Sequence, residues 1–417
     1  MATNVGIRIR PVTTDDYTAF RLVALRQFHA EDIADSPADE AFRNKRYPTQ
    51  RIVAAWDGDA IVGTYRSWDD TLAVPGATVT ADLVSSVTVS PTHRRRGILR
   101  SMIEPDLLRA KESGTAVAYL IASSAQIYGR FGFGATIEHA TWTVDADATL
   151  FQPEAETDSL TVELGDDASL RAVAPAVYDA AFTAAPGAIA RDALWWDGAL
   201  GLAGLTEDRK GPRYTVVVRD RTGTAVGYAR YKVTETSRQR VDTSTMAIHD
   251  LVASTPQAYA KLWQFLASID LTATLTASDR PVSEPLPWLL TDRRAARQSD
   301  RADFGWIRVL DVPAALAGRR YTHAGSVVIE VLDGLGLANG TYAVDVDGSG
   351  TGQARPTDSA PDLTLDVAVL GSVYLGQVPL QELAAAGLVV EHTAGALGRA
   401  DALFLAPTTS AVTLTWF

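Results

Sequence analysis

At 417 residues the chain is too long for one ordinary hydrophobic core, and roughly three domains are expected. Hydrophobic residues make up 47% and charged residues 21%, the balance of a globular protein, and no apolar run approaches the ~20 residues of a membrane span. Cysteine is absent, which excludes disulfides, thiolate metal sites and a cysteine nucleophile; the six histidines show no ligand spacing, and a net charge of −12 argues against nucleic acid while favouring cationic substrates.

The opening residues carry no charged-then-apolar signal, so a cytoplasmic location is expected. "VGIRIRPV" predicts a first strand, and "TTDDYTAFRLVALRQF" a helix introduced by capping residues. Strands follow at "QRIVAAWDG" and "AIVGTYRSWDDTLAV", and "ATVTADLVSSVTVSP" is the longest strand region. "ILRSMIEPDLLRAKESG" predicts a helix stopped at Gly114, with Pro105 marking a kink or an altered start. "AVAYLIAS" is apolar enough for a strand buried on both faces. The acidic, turn-rich "FQPEAETDSL" predicts a linker, which puts the first domain at 1–150.

A second block, 151–300, repeats the alternation with "SLTVELG", "ASLRAVAPAVYDAAF", "YTVVVRDRTGTAVGYARYKV" and "PQAYAKLWQFLASI". Its hairpin "VVVRDRTGTAVGYARY" matches the layout of "IVAAWDGDAIVGTYRSW", a faint internal repeat. In the third block, 301–417, "SVVIEVLDGLGLANGTYAVDVDG" predicts two strands around a Gly/Asn turn, and "TLDVAVLGSVYLGQVPLQELAAAG" reads as helical. The alternation Val412, Thr413, Leu414, Thr415, Trp416 then predicts a strand that runs to Phe417.

The chemistry concentrates in "DLVSSVTVSPTHRRRGILRSMI". A β-branched strand, Val84 to Val89, gives way at Pro91 to Arg94-Arg95-Arg96-Gly97 and then to a helix. Unpaired N–H groups at a helix start, beside arginines and a glycine that allows close approach, suit a pyrophosphate; a solvated basic turn is the plainer alternative. No Gly-Lys-Ser/Thr follows, so this is no nucleotide P-loop.

The arrangement resembles the acetyl-CoA motif of GNAT acetyltransferases, Arg/Gln-x-x-Gly-x-Gly/Ala, with Leu99 in place of the final small residue. Together with "IYGRFGFG", "PLPWLLTDRRAARQSDRADFGWIRVLDVPAAL" and "DVAVLGSVYLG", it resembles the Eis (enhanced intracellular survival) branch of these enzymes over nearly the whole chain, with gaps at 28–50 and 150–210. The resemblance implies a mixed α+β protein: two GNAT-like α/β domains, the second without the cofactor motif, followed by a sterol-carrier-protein-2-like α+β domain. It further implies an acetyl-CoA-dependent N-acetyltransferase acting on aminoglycosides or similar polycationic amines, a homohexamer, and no metal, membrane or nucleic-acid partner.

Residue by residue, the resemblance gives Ser86, Val87 and Val89 the backbone contacts to the pantetheine and thioester. It gives Arg94, Arg95, Gly97, Ile98 and Leu99 the pyrophosphate. Tyr128 matches the general acid, for which a phenol near pKa 10 is suited; packing is its alternative role. Arg130 either reaches a phosphate or is a surface charge. The α-carboxylate of Phe417 matches the group that anchors or deprotonates the amine. Phe28, Glu31 and Asp32 are candidates to line the acceptor pocket, or form a solvated acidic helix end. A lipid carrier with a vestigial acetyltransferase domain and a protein-lysine acetyltransferase are the competing functions.

Overall fold

The computed structural model describes residues 6–30, 36–146, 151–152, 157, 159–205, 213–234, 244–406 and 415. Its chain groups into two units, one taking Met1–Thr136 with Phe304–Pro407 and the other Ile137–Asp303 with Thr415.

In the first unit β1 (Ile7–Pro11) is followed by α1 (Tyr17–Gln27) and α2 (Pro37–Arg46). α2 is not among the elements the sequence predicts, because PADEAFRNKR carries too few apolar residues to show a helical spacing. Local chemistry makes it a helix: Ser36 and Asp39 form a reciprocal capping box and Pro37 occupies the first turn. β2 (Arg51–Asp57), β3 (Ala60–Val74) and β4 (Ala77–Val89) form an antiparallel meander. α3 (Ile98–Glu112) then crosses over so that β5 (Val117–Ile121) can lie parallel to β4. Met102, Ile103, Leu107 and Ala110 make the buried stripe of α3, and Pro105 sits on its exposed face, so the helix runs through it without a break. Gly114, with φ at +84°, follows the helix end. After β5 comes the short α4 (Ala125–Tyr128).

The second unit repeats this plan. β6 (Gly134–Asp145) leads into it, followed by β7 (Thr161–Gly165), α5 (Asp167–Phe182) and α6 (Ala193–Ala199). β8 (Tyr214–Arg219), β9 (Ala225–Thr234) and β10 (Ser244–Ala253) form a second antiparallel meander, and α7 (Pro256–Ala267) carries the chain to β11 (Thr272–Pro281), parallel to β10. The repeat seen faintly in the hairpins is therefore a repeat of topology. Trp142, Met246, Leu262, Trp263 and Leu275 pack its core. The expected linker at 151–160 lies largely outside the described residues; its Phe151 bridges to Leu290, at the end of α8 (Leu286–Leu289).

β12 (Ala296–Val309) follows, and its Gly305–Val309 stretch pairs antiparallel with β5, completing the first sheet in the order β1-β2-β3-β4-β5-β12. The remainder of the first unit is α9 (Val312–Ala317), β13 (Gly325–Leu332), β14 (Gly340–Val346), β15 (Gly352–Pro356), β16 (Leu363–Asp366), α10 (Val367–Val373), α11 (Leu380–Ala385), β17 (Val389–Glu391) and α12 (Ala396–Phe404). Its strands lie in the order β15-β14-β13-β16-β17. The stretch read as one helical segment opens instead with β16, which ends where the Asp366 side chain caps α10, and Pro379 separates α10 from α11. Thr415 sits in a bend; the rest of the expected terminal strand, Phe417 included, lies outside the described residues.

Candidate active site

β4 and β5 pair from Ala81 opposite Val117 to Val84 opposite Leu120, and the ladder stops there. Just beyond, β4 bulges against β3: Ser85 faces Arg66 and Thr88 faces Thr64, so Ser86 and Val87 together oppose Tyr65. Ser86 takes a left-handed φ of +52°. The buried Thr64 hydroxyl donates its one proton to the Ser86 carbonyl at 2.7 Å, so the Thr88 hydroxyl, 2.6 Å away, must donate to Thr64. The bulge and the parted strands leave the backbone of Val87 and Val89 without a β5 partner. Thr64 was not singled out in the sequence; the Ser85-Ser86 break in a β-branched run was the only signal.

The turn between β4 and α3 is open. Arg95 has φ +63° and Gly97 φ +80°, and no atom lies within 4 Å of where a Gly97 side chain would begin. No side chain caps α3, and the N–H groups of Gly97, Ile98 and Leu99 have no partner among the described residues. Arg94, Arg95 and Arg96 are exposed around them. Ile98 seats this end on the sheet, where a Cβ on Gly63 would come within 3.2 Å of its Cγ2. Positive side chains, free donors and the positive end of a helix dipole converge here, as an anion site requires. The equivalent helix of the second unit is closed: the Thr255 hydroxyl accepts from the Ala258 N–H at 3.1 Å, and Pro256 offers no N–H.

Tyr128 ends α4 and is 4% exposed. Burial pushes its phenol up to about 12, against a hydrogen bond with Ser123 that lowers it. Its ring stands edge-on to Phe133 at 6.1 Å. The glycines that follow are required by packing. Gly132, at φ +80°, leaves only 2.8 Å between a would-be Cβ and Arg308, and Gly134 lies directly on the Ala368 carbonyl.

One hydrophobic cluster gathers Ile98 and Tyr128 with Val87, Val89 and Leu99 against it. Three segments, the end of β4, the start of α3 and the end of α4, thus share one cluster. Arg130 is exposed and turns inward on its own helix, donating to the Ile127 carbonyl at 2.9 Å. Phe28, 47% exposed, terminates α1 outside that cluster. Glu31, Asp32 and Phe417 lie outside the described residues.

Beneath α3 is a charged cluster that the sequence did not reveal. Asp82, fully buried, accepts from Arg51 and, at 3.1 Å, from Arg109. Asp106 accepts from the Tyr65 hydroxyl at 2.8 Å and from Arg109 at 3.0 Å. Burial and the neighbouring Asp106 carboxylate push Asp82 up to about 8, although Arg51 and Arg109 pull the other way. Burial also acts to raise Asp106, but hydrogen bonds from Ser67, Tyr65 and Arg109 hold it below the usual range. A carboxyl raised on folding contributes stability that is complete below its unfolded pKa, near 4, and is lost as pH climbs through about 8. In melting scans from pH 5 to pH 9, Asp82→Asn should therefore gain on the wild type as pH rises. A constant difference between the two would show that Asp82 does not titrate in this range.

Residues 8–136 match the acetyltransferase (GNAT) domain family, residues 187–309 match a further acetyltransferase (GNAT) domain family, and residues 312–412 match the sterol carrier protein domain. An N-acetyltransferase of Streptomyces avermitilis is 36% identical over 401 residues, covering 95% of this chain and 96% of that one. N-acetyltransferase Eis of Mycobacterium tuberculosis is 35% identical over 404 residues, 94% of this chain and 95% of the other. The crystal structure of Eis1 from Mycobacterium abscessus superposes with a TM-score of 0.84 at 31% identity, covering 98% of this chain and all of that one.

Proposed function

The chain belongs to the Eis family of GNAT N-acetyltransferases, and we propose that it moves the acetyl group of acetyl-CoA to a primary amine of an aminoglycoside or a similar polycationic acceptor. The observation that carries this reading is the open, arginine-flanked start of α3 beside the parted β4 and β5. Residues 1–150 then form the catalytic domain, 151–300 a GNAT-like domain without the cofactor motif, and 301–417 the sterol-carrier-like domain. As part of the same reading the protein works as a cytoplasmic homohexamer without a metal, as the family resemblance implies.

The residues present fit the cosubstrate. The free N–H groups of Gly97, Ile98 and Leu99, with Arg94 and Arg95, would hold its pyrophosphate, and the lack of a side chain at Gly97 lets phosphate approach the backbone. The backbone of Ser86, Val87 and Val89, beyond the last β5 pair, would take the pantetheine and orient the thioester. Acetyl-CoA supplies the activated acyl group. Tyr128 holds a proton on its Oη and releases it to the departing sulfur. The Phe417 carboxylate, charged at neutral pH, draws in the ammonium form of the acceptor and takes its proton directly or through water. A net charge of −12 suits cationic acceptors.

Because Thr255 and Pro256 close the equivalent helix of the second unit, calorimetric titration with CoA should give one site per chain. Two sites per chain would contradict the closed cap. Release of free thiol from acetyl-CoA, followed against a panel of aminoglycosides, polyamines and lysine peptides, tests the function. Turnover with the polycationic amines is expected. Turnover with lysine peptides alone would move the acceptor to protein, and no turnover alongside tight binding of acyl lipid would overturn the enzyme reading.

A further inference from the structure

Gly132 and Gly134, four and six residues after Tyr128, lie against α10, an element of the segment that matches the sterol carrier protein domain. A Cβ on Gly132 would stand 2.8 Å from both Val367 Cγ1 and Arg308 Nε. A Cβ on Gly134 would meet the Ser372 nitrogen at 2.7 Å as well as the Ala368 carbonyl. The fit is reciprocal, since a Cβ on Gly371 of α10 would meet the Ile307 carbonyl and come within 3.2 Å of the Gly134 nitrogen. The Arg308 guanidinium is itself fixed: fully buried, it donates to Asp333 Oδ2 at 2.6 Å and to the Val309 carbonyl at 2.7 Å. Asp333 also accepts from the Leu335 and Ala338 N–H groups, at 3.0 and 2.7 Å. These bonds shape the loop after β13, whose Leu335 and Leu337 pack on the cluster that holds Tyr128.

We infer that Val367 is a positioning residue: with Arg308 and the α10 backbone it forms a seat for Gly132 and Gly134, and so fixes where Tyr128 stands. Two backbone hydrogen bonds carry the constraint. Phe133, between the two glycines, donates its N–H to the Tyr128 carbonyl at 3.3 Å, and Gly132 donates to the Gly129 carbonyl at 2.9 Å. The Phe133 side chain is fully buried, and its ring meets that of Tyr128 edge-on. The seat has little play, because a β-branched side chain is stiff at χ1 and the carbonyls it includes belong to a helix and a strand. α4, by contrast, is only four residues long, too short to hold a phenol in place by its own hydrogen bonds. The sterol-carrier-like domain would thus serve the reaction through Val367 without touching the substrate. The inference rests on the reading that Tyr128 is the general acid.

Gly134→Ala and Gly371→Ala would drive backbone against backbone and threaten the fold, so Val367→Ala, which removes the contact with Gly132 and adds no clash, is the variant to test. Val367→Thr keeps the branched shape but buries a hydroxyl, so it should lower the melting temperature while preserving the seat. Each is made in the full chain, in the wild type and in Tyr128→Phe, and compared by steady-state kinetics and by amide hydrogen exchange of residues 129–134 read by mass spectrometry. Val367→Ala should speed that exchange and lower kcat by about tenfold, with KM for acetyl-CoA held within about twofold. Val367→Thr should restore exchange and kcat despite its lower melting temperature. In the Tyr128→Phe background, Val367→Ala should change kcat by no more than about twofold, because no acid is left to misplace. Unchanged exchange in Val367→Ala overturns the seat. An unchanged kcat, or an equal loss in both backgrounds, overturns the positioning role if Tyr128→Phe alone does lower kcat. If Tyr128→Phe keeps its kcat, the general-acid reading fails and takes this role with it.

Discussion

Replacing Tyr128 by phenylalanine is expected to lower kcat by about 10²–10⁴-fold, the usual worth of a positioned general acid. KM for acetyl-CoA should hold within about twofold, because no contact at the start of α3 is touched. The phenol lies at about 12 through burial, so it is fully protonated at every pH at which the enzyme would be assayed. It is also too weak an acid to protonate a free thiolate outright, since an ordinary thiol sits near 8.5. Its proton must move as the carbon–sulfur bond breaks. Two consequences follow for pH. The kcat profile of the wild type should show no alkaline fall before about pH 10. A phenol raised on folding contributes stability that is intact below its unfolded pKa, near 10, and is lost as pH rises towards 12. Tyr128→Phe should therefore melt closer to the wild type, or above it, in strongly alkaline buffer. A variant that keeps kcat within about threefold would return Tyr128 to a packing role.

Removing Phe417 is expected to cost about 10²-fold or more in kcat, and lengthening the chain by one glycine nearly as much, because either change shifts the carboxylate by the length of a residue. Phe417→Ala is the informative partner. It keeps the carboxylate and discards the ring, so it should retain most of the turnover. KM for the amine should rise with the deletion, since a carboxylate attracts an ammonium group better than it accepts a proton. The reverse pattern, with alanine as damaging as deletion, would make Phe417 a packing residue. Both expectations are read by the same thiol-release assay, with the melting temperature confirming that each variant is folded.

The sequence carried the β4–turn–α3 segment well because its signals are local. A β-branched strand, a proline, an arginine run and a glycine follow one another within fourteen residues, from Val84 to Gly97. Each constrains the backbone by its own chemistry, and β4, the turn and α3 formed where that chemistry placed them. The resemblance of the rest of the chain carried the family. What stayed hidden depends on partners far apart in sequence. The Ser86 bulge is held by Thr64 on the neighbouring strand, and Asp82 owes its environment to Arg51 on β2 and to Asp106 and Arg109 on α3. Neither leaves a periodic trace. α2 was missed for another reason: its stability lies in its caps and charges, and apolar spacing is blind to those. The helical reading of residues 364–387 failed at its first three residues, Thr364 to Asp366 of β16, which borrow their strand conformation from β13.

The pairing of β5 with the end of β12 bears on how such a chain is made. Val117, Ala118 and Tyr119 are fully buried, and the stretch of β12 that pairs with β5 begins 184 residues after the end of β5, from Ile121 to Gly305. A ribosome adding about 5–20 residues each second would take many seconds to supply it. During that interval the half-built first sheet presents an apolar, unpaired edge, the kind that recruits strands from other chains. Expression of residues 1–150 alone would make that interval permanent. The enzyme's first domain in sequence is therefore among the last to be finished, and its yield in a cell depends on what shields that edge during synthesis.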